Sequence, residues 1–174
     1  EDIAGLKMRV IQSPIYIETF NALGANAVPM PFTEVYTAME QKMIDGQENP
    51  FTVIQANKIN EVQKYLTVSR HMYNPQSMLM SKKTWDRLNK EEQDIILAAA
   101  AEATSYQRTL SRGAQEVALN ELKKTMEVSE LPPAELDKIR AKLKPVIDKF
   151  SASVGPEFVK QVYAEIDAYR KANK

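Results

Sequence analysis

The stretch KMRVIQSP, residues 7–14, decides the fold class of this chain. Residues 7–11 are a strand candidate with β-branched side chains at their far end. Ser13 then supplies a helix N-cap and Pro14 a first helical residue, because serine and proline are favoured at those two positions. The stretch therefore predicts a short strand followed directly by a helix, which we expect over residues 15–23.

The same alternation continues outward along the chain. Residues 26–30 predict the next strand, and the prolines at positions 29 and 31 favour an edge position or a short strand that leads into a loop. A second helix is expected from Thr33 to just before Ile44. Strand, helix, strand and helix in this order predict parallel strands with right-handed crossovers. Ligands of such sheets lie beyond the carboxyl ends of the strands, here near Arg9–Gln12 and Phe32.

The second half of the chain is mainly helical in pattern. Two extended segments, residues 63–70 and 76–81, are separated by the turn signal Asn74-Pro75. Asn89 followed by Glu92 resembles a capping box and begins an apolar helical periodicity that continues to about Met126. Gly113 interrupts this helix and is either a tolerated interior glycine or a kink.

Two further amphipathic helices are predicted at the end of the chain, over residues 134–151 and 156–171. Gly155-Pro156 separates them as a stop followed by a start. The apolar residues of the last helix recur at intervals of three or four, so we expect that face to pack into a core.

Composition excludes several classes of function. The 23 basic and 23 acidic residues cancel, so there is no field that would attract nucleic acid or an anionic membrane. The chain lacks cysteine and has no glycine-rich phosphate loop, and its single histidine, His71, is the one candidate on which a zinc site or a Ser-His-Asp triad could be built. There is no run of about 18 apolar residues and no signal-peptide pattern. We expect no cofactor, no metal and no enzymatic activity.

The stretch DGQENP, residues 45–50, is the most informative polar segment. We interpret it as a turn in which Gly46 can take a positive φ and Pro50 can open a helix. Such a turn presents two side-chain amides and two carboxylates at one loop. Facing an arginine, this loop indicates a site for a small anion.

Arg9 is that arginine, and it lies between Met8 and Val10 in an otherwise apolar strand. Its guanidinium must reach either solvent at a sheet edge or a polar cleft, because burying an unpaired charge is very costly. Periodicity alone leaves these two alternatives equal.

Four ordered blocks resemble one known family. They are residues 5–10 (GLKMRV), 30–36 (MPFTEVY), 45–50 (DGQENP) and 61–66 (EVQKYL), with a weaker continuation through residues 81–85. The chain is similar to the DctP-like, dicarboxylate-binding family of substrate-binding proteins from tripartite ATP-independent periplasmic (TRAP) transporters. Those proteins are two-lobed clamps, and this chain resembles only their later, C-terminal portion.

The resemblance implies the ligand-binding residues. Arg9 matches the family arginine that forms a bidentate salt bridge with the ligand carboxylate, and the planar fork of arginine suits that role. Asn49 matches an asparagine that bonds the bound acid, although it could equally cap the helix after Pro50. Phe32 matches an aromatic that packs against the ligand, or it anchors the loop. Gln12 is a candidate selector of substrate, and weaker candidates are Tyr73 and Gln76.

The resemblance also implies the architecture, an α/β periplasmic-binding-protein-like lobe with short parallel strands, a long spanning helix and C-terminal helices. Residues 1–66 would be the ligand-binding lobe, residues 67–117 crossover strands and a long helix shared with a mostly absent lobe, and residues 118–174 helices packing back on the first lobe.

The implied function is capture of an organic acid in the periplasm of a Gram-negative-type bacterium and its delivery to the TRAP membrane permease. The acid could be a dicarboxylate, a keto acid or a sugar acid. The alternative from another class is a helical interaction or scaffold module without a small-molecule ligand.

The missing front lobe leads to two more expectations. With one lobe only, Arg9 would be a solvent-exposed anion contact worth about 1 kcal/mol, so this portion alone would bind ligand weakly or not at all. Surfaces meant for the other lobe would be exposed, so the chain could dimerise or swap domains.

Overall fold

The computed structural model describes residues 2–173. Within that range the chain forms five strands and seven α-helices, together with two short 3₁₀ turns. The elements are β1 (Lys7–Val10), α1 (Pro14–Ala22), β2 (Asn26–Pro29), α2 (Val35–Glu40), β3 (Gly46–Gln47), α3 (Phe51–Ala56), β4 (Tyr65–Val68), α4 (Lys82–Trp85), α5 (Lys90–Leu122), β5 (Glu127–Glu130), α6 (Pro133–Val154) and α7 (Pro156–Ala172).

The elements group into two compact units. Unit 1 combines the chain up to Glu48 with the chain from Leu131 onward, and unit 2 is the continuous segment Asn49–Glu130. Unit 1 is therefore built from two pieces of sequence that the whole of unit 2 separates.

Unit 1 contains a three-stranded parallel sheet in the order β2-β1-β3. This arrangement confirms the predicted alternation of strands and helices and the predicted parallel sheet. Strand β2, with its proline at position 29, lies at one edge, as the two prolines suggested. The central strand is β1, which pairs Arg9 with Val28 on one side and with Gln47 on the other.

The turn that we predicted around Gly46 is wrong. The φ angle of Gly46 is not positive. Gly46 instead begins strand β3, where it pairs with Met8. A Cβ atom at Gly46 would lie 2.9 Å from Met8 Sδ, so the glycine is explained by the close approach of the two strands. The helix after Pro50 is present and begins at Phe51.

The core of unit 1 lies between the sheet and α1. Val10, Phe20 and Ala25 form a buried cluster, with Met8 and Tyr16 among the side chains packed against it. Helix α6 contacts α1, and an ion pair of 2.6 Å joins Lys149 Nζ to Glu18 Oε1 across these helices.

Helices α6 and α7 occur close to where the apolar periodicity placed them, but the prediction that the apolar face of α7 packs into a core is wrong. No described side chain of α7 is buried, and Phe158 and Tyr169 are 60% and 71% exposed. Periodicity identified the apolar face correctly, but it contains no information on whether a partner covers that face.

Unit 2 consists of the parallel pair β4-β5 and helices α3, α4 and α5. Helix α3 packs along α5, where Gln115 Nε2 donates a hydrogen bond of 2.9 Å to Thr52 Oγ1. Strand β5 was not predicted. Residues 76–81, predicted to be extended, form neither helix nor strand.

Helix α5 confirms the predicted capping box. The Glu92 amide donates to Asn89 Oδ1 at 3.0 Å, and the Asn89 amide donates to Glu92 Oε2 at 2.8 Å. The helix is assigned continuously through Gly113 over its 33 residues, and a Cβ atom there would meet nothing within 4 Å. The interior glycine is thus sterically tolerated.

Candidate ligand-binding site

The candidate site is built around Arg9 near the carboxyl end of the central strand of unit 1. The side chain leaves β1 one residue before the strand ends, at the edge where α/β sheets bind ligands. Arg9 is only 4% exposed. The expectation that Arg9 would be exposed to solvent in this chain is therefore wrong, and the reason is that the protein supplies its own hydrogen-bond acceptor.

That acceptor is the backbone carbonyl of Met30. Arg9 Nε donates to it at 3.0 Å and Arg9 Nη2 at 2.7 Å, so one oxygen engages one edge of the guanidinium. Met30 is itself anchored to β1, because its amide donates to the Val10 carbonyl at 3.2 Å. The loop after β2 therefore holds the arginine in a defined orientation.

The Phe32 ring lies beside the same guanidinium. The distance from Arg9 Cζ to the ring centroid is 5.7 Å, within the range of a cation–π contact. Phe32 begins a short 3₁₀ turn, Phe32–Glu34, and is 38% exposed. Its ring thus combines an apolar surface with a position next to the cation.

The segment after Ile44 is fastened to β1 and brings a carboxylate close to Arg9. The Asp45 amide donates to the Lys7 carbonyl at 2.9 Å, and the Lys7 amide donates to Asp45 Oδ2 at 2.8 Å. Gln47 is then paired beside Arg9, and Glu48 follows directly. Asp45 therefore has a structural role that fixes the register of this segment.

Burial and Glu48 set the electrostatics of the site. Burial lowers the pKa of Arg9, and the negative charge of Glu48 acts in the opposite direction. Burial also raises the pKa of Tyr16, with a further contribution from Glu48. Arg9 remains cationic because an arginine pKa starts far above neutral pH.

The other four predicted residues are distributed over the two units. Gln12 belongs to unit 1 and is exposed in the bend between β1 and α1. Asn49 begins unit 2 and is half-buried. Tyr73 and Gln76 lie in unit 2, in the segment without helix or strand, and Tyr73 is 89% exposed. The structure groups Arg9 with Phe32 and leaves the ligand-binding role of all six residues a prediction.

Three contributors to the site were not predicted, namely the Met30 carbonyl, Glu48 and Tyr16. A backbone acceptor has no residue-type signal, although the Pro29-Met30-Pro31 triplet marks a restricted loop. Glu48 stood inside the quoted DGQENP motif, and only the pairing of β3 with β1 shows that it lies beside Arg9.

The hydrogen-bond donors that Arg9 does not use for Met30 have the geometry that a small anion requires. A guanidinium has five N–H groups, and the Met30 carbonyl uses two of them. The remaining three include the parallel pair on Nη1 and Nη2, which matches the two oxygens of a carboxylate. Within residues 2–173 there is no group of three or more His, Asp or Glu side chains placed to hold a metal ion. None of the helices in that range is long and apolar enough to span a membrane.

A buried arginine lies at the carboxyl edge of a parallel sheet, next to an aromatic ring, which is the edge at which α/β proteins bind small solutes. The chain belongs to the bacterial extracellular solute-binding protein family 7, the DctP family, whose model matches residues 1–153.

Solved structures of TRAP periplasmic solute-binding proteins share this fold. The chain is 55% identical to one from Ochrobactrum anthropi, whose C-terminus is bound in the ligand-binding pocket; the match has a TM-score of 0.88 and covers 98% of this chain and 53% of that one. It is 46% identical to the sugar acid binding protein DctPAm from Advenella mimigardefordensis in complex with galactonate, with a TM-score of 0.86 and coverage of 98% and 55%.

Among curated relatives, the 2,3-diketo-L-gulonate-binding periplasmic protein YiaO of Escherichia coli is 44% identical over 109 residues. The match covers 63% of this chain and 33% of that protein. The chain spans about half or less of the length of the curated relatives it matches.

Proposed function

We propose that this chain is part of the solute-binding component of a TRAP transporter, which captures a carboxylate-containing organic acid in the periplasm and delivers it to the membrane permease. The single observation that carries this proposal is the state of Arg9. Arg9 is a buried cation that directs its hydrogen bonds to a neutral carbonyl, and the nearby Glu48 carboxylate helps to keep it charged.

Arg9 is the proposed carboxylate anchor. An exposed ion pair contributes little, because water competes for both partners, whereas a desolvated and bidentate one contributes more. With 4% of its surface exposed, Arg9 is already desolvated before a ligand arrives. The desolvation of the cation therefore takes place on folding. Ligand binding does not have to include that unfavourable free energy.

The remaining predicted residues complete the proposal. Phe32 would pack its apolar face against the ligand body, and Asn49 would donate a hydrogen bond to the bound acid. Gln12 would influence the choice of substrate, and Tyr73 and Gln76 would lie near the ligand. Residues 67–117 would belong partly to a second lobe, and residues 118–174 would return to the first.

The matched proteins support a sugar acid as the kind of ligand. Galactonate is bound in the protein from Advenella mimigardefordensis, and the relative in Escherichia coli binds 2,3-diketo-L-gulonate. Both molecules pair one carboxylate with several oxygen groups. One arginine with hydrogen-bonding neighbours suits such a ligand.

A thermal-shift screen of organic acids against the full-length protein tests the proposal. The panel contains galactonate, galacturonate, erythronate, 2,3-diketogulonate and succinate. We expect at least one acid to raise the melting temperature, because a ligand that binds only the folded state stabilises it by mass action.

Arg9→Lys is the informative variant, because lysine keeps the charge and loses the planar fork. We expect binding at least about 30-fold weaker, since disrupting a buried and hydrogen-bonded charge pair costs about 2 kcal/mol or more. Arg87→Ala, at an exposed arginine outside the site, is the matched control and should bind like the wild type. No shift with any acid would reject the proposal and favour the scaffold alternative.

A further inference from the structure

We infer that Pro31 is a positioning residue that orients the Arg9 guanidinium through the Met30 carbonyl, so that a ligand carboxylate is received end-on by Nη1 and Nη2. This inference rests on the proposed function for its ligand, but its geometry stands on contacts within unit 1. It assigns a role in binding to a proline, whose side chain has no hydrogen-bonding group of its own.

The two hydrogen bonds to Met30 determine which edge of the guanidinium is occupied. Nε–H and one N–H of Nη2 point in the same direction, and both reach the same carbonyl oxygen, at 3.0 Å and 2.7 Å. This side edge is therefore closed to a ligand. The parallel pair that remains lies at the tip, one N–H on each Nη atom, so an incoming carboxylate meets the arginine end-on.

The position of the Met30 carbonyl depends on two constraints. At its amide side, Met30 donates to the Val10 carbonyl at 3.2 Å, which ties the residue to the end of β1. At its carbonyl side, the next residue is Pro31, at φ −55° and ψ 143°. A residue before proline is restricted in ψ, the angle that orients its carbonyl, because the proline ring clashes with other conformations.

Pro31 therefore removes the rotation that would swing the carbonyl away from Arg9. The Phe32 ring, 5.7 Å from the guanidinium carbon, follows directly in the chain, so the same proline also sets the entry of the aromatic beside the cation. The Met30 side chain takes no part in this argument, because the acceptor is a backbone atom.

Pro29, the last residue of β2, provides a control close to the same loop. It is also an exposed proline, two residues earlier, and it restricts Val28 rather than Met30. Pro29→Ala and Pro31→Ala make the same chemical change, and both increase the conformational entropy of the unfolded chain by a similar amount. Only Pro31→Ala releases the carbonyl that Arg9 uses.

The first experiment is a double-mutant cycle on the full-length protein, with galactonate as the probe in isothermal titration calorimetry. We expect Pro31→Ala to weaken binding about two- to fivefold more than Pro29→Ala, in line with the usual size of proline effects. In an Arg9→Lys background Pro31→Ala should have no further effect, because the fork that it orients is absent. An equal effect in both backgrounds would show a general structural role and overturn the inference.

The second experiment needs no ligand. Solvent exchange of the Arg9 Nε–H, followed by ¹⁵N NMR, should be slow in the wild type and in Pro29→Ala and faster in Pro31→Ala. Unchanged exchange in Pro31→Ala would overturn the inference. If the wild type binds none of the acids in the panel, the proposed function fails, and this exchange measurement alone decides whether Pro31 positions Arg9.

Discussion

A glycine stands at position 46 because strands β1 and β3 approach each other closely there. The nearest atoms to an added Cβ are Met8 Sδ and Met8 Cε, at 2.9 Å and 3.3 Å. Gly46 is also one residue before Gln47, which pairs with Arg9, so displacement at this point reaches the candidate site. The glycine thus allows the motif to lie against the strand that holds the arginine.

Gly46→Ala should destabilise the protein by about 1 kcal/mol, because the Met8 side chain must shift to make room. The cost is moderate since the obstructing atoms are at the end of a flexible side chain. Chemical denaturation of the variant and the wild type measures the difference.

Gly113→Ala is the matched control, because the same added methyl group meets nothing within 4 Å in the interior of α5. It should stabilise the protein by about 0.5–1 kcal/mol through helix propensity. A Gly46→Ala variant as stable as the wild type would contradict the packing account of this position.

At the scale of elements, predictability from sequence depended on how local the signal was. Helix α5 carried its own capping residues, and β1 and α1 carried a strand pattern followed by a cap and a proline, so these elements could be predicted. Strand β3 has two residues and β5 reads EVSE, and both are strands only because a partner strand lies beside them. Such pairing is a tertiary effect that overrides local preference.

The distinction between local signals and tertiary effects also applies to Arg9 and its hydrogen-bond acceptor in the candidate site. Arg9 could be singled out because a charge inside an apolar strand is unusual and demands a partner. The partner itself could not be named, because the Met30 carbonyl is a backbone atom and any residue type would supply it. Its signal was indirect, in the proline that follows.

The stability of helix α5 should depend measurably on the capping residue at its N-terminus. We expect Asn89→Ala to lower the free energy of unfolding by about 1 kcal/mol, because it removes the acceptor of the Glu92 amide. Urea denaturation followed by circular dichroism measures this loss. Asn89→Asp keeps an acceptor oxygen and should unfold at nearly the wild-type midpoint, so an equal loss in both variants would argue against the capping account.

At the scale of the whole molecule, the described chain exposes large apolar side chains in one stretch of unit 2. Tyr73 and Leu79 are both 89% exposed, and Met78 is 68% exposed. Large apolar side chains exposed along one segment favour an interaction surface there. The matched relatives are about twice as long as this chain, which is consistent with additional residues that cover this surface. The exposed segment also lies in the part of the chain that we propose to share with a second lobe.

The chain of residues 1–174 alone should therefore self-associate. Size-exclusion chromatography with light scattering should give a mass above that of one 19.7 kDa chain, rising with concentration. The double variant Met78→Ser/Leu79→Ser should shift the mass toward the monomer. The exposed pair Lys83→Ser/Arg87→Ser is the control and should leave the mass unchanged. A wild-type chain that stays monomeric at high concentration would contradict this prediction.

The two-piece construction of unit 1 also has a consequence for how the protein is made. A ribosome releases α1 early, but α6, which packs against α1, emerges only after all of unit 2, about 80 residues beyond Glu48. At about 5–20 residues per second, the 111 residues from the end of α1 at Ala22 to the start of α6 at Pro133 take on the order of 6–22 s to synthesise. During that interval the face of α1 that α6 covers lacks its partner, so the order of synthesis delays the completion of unit 1.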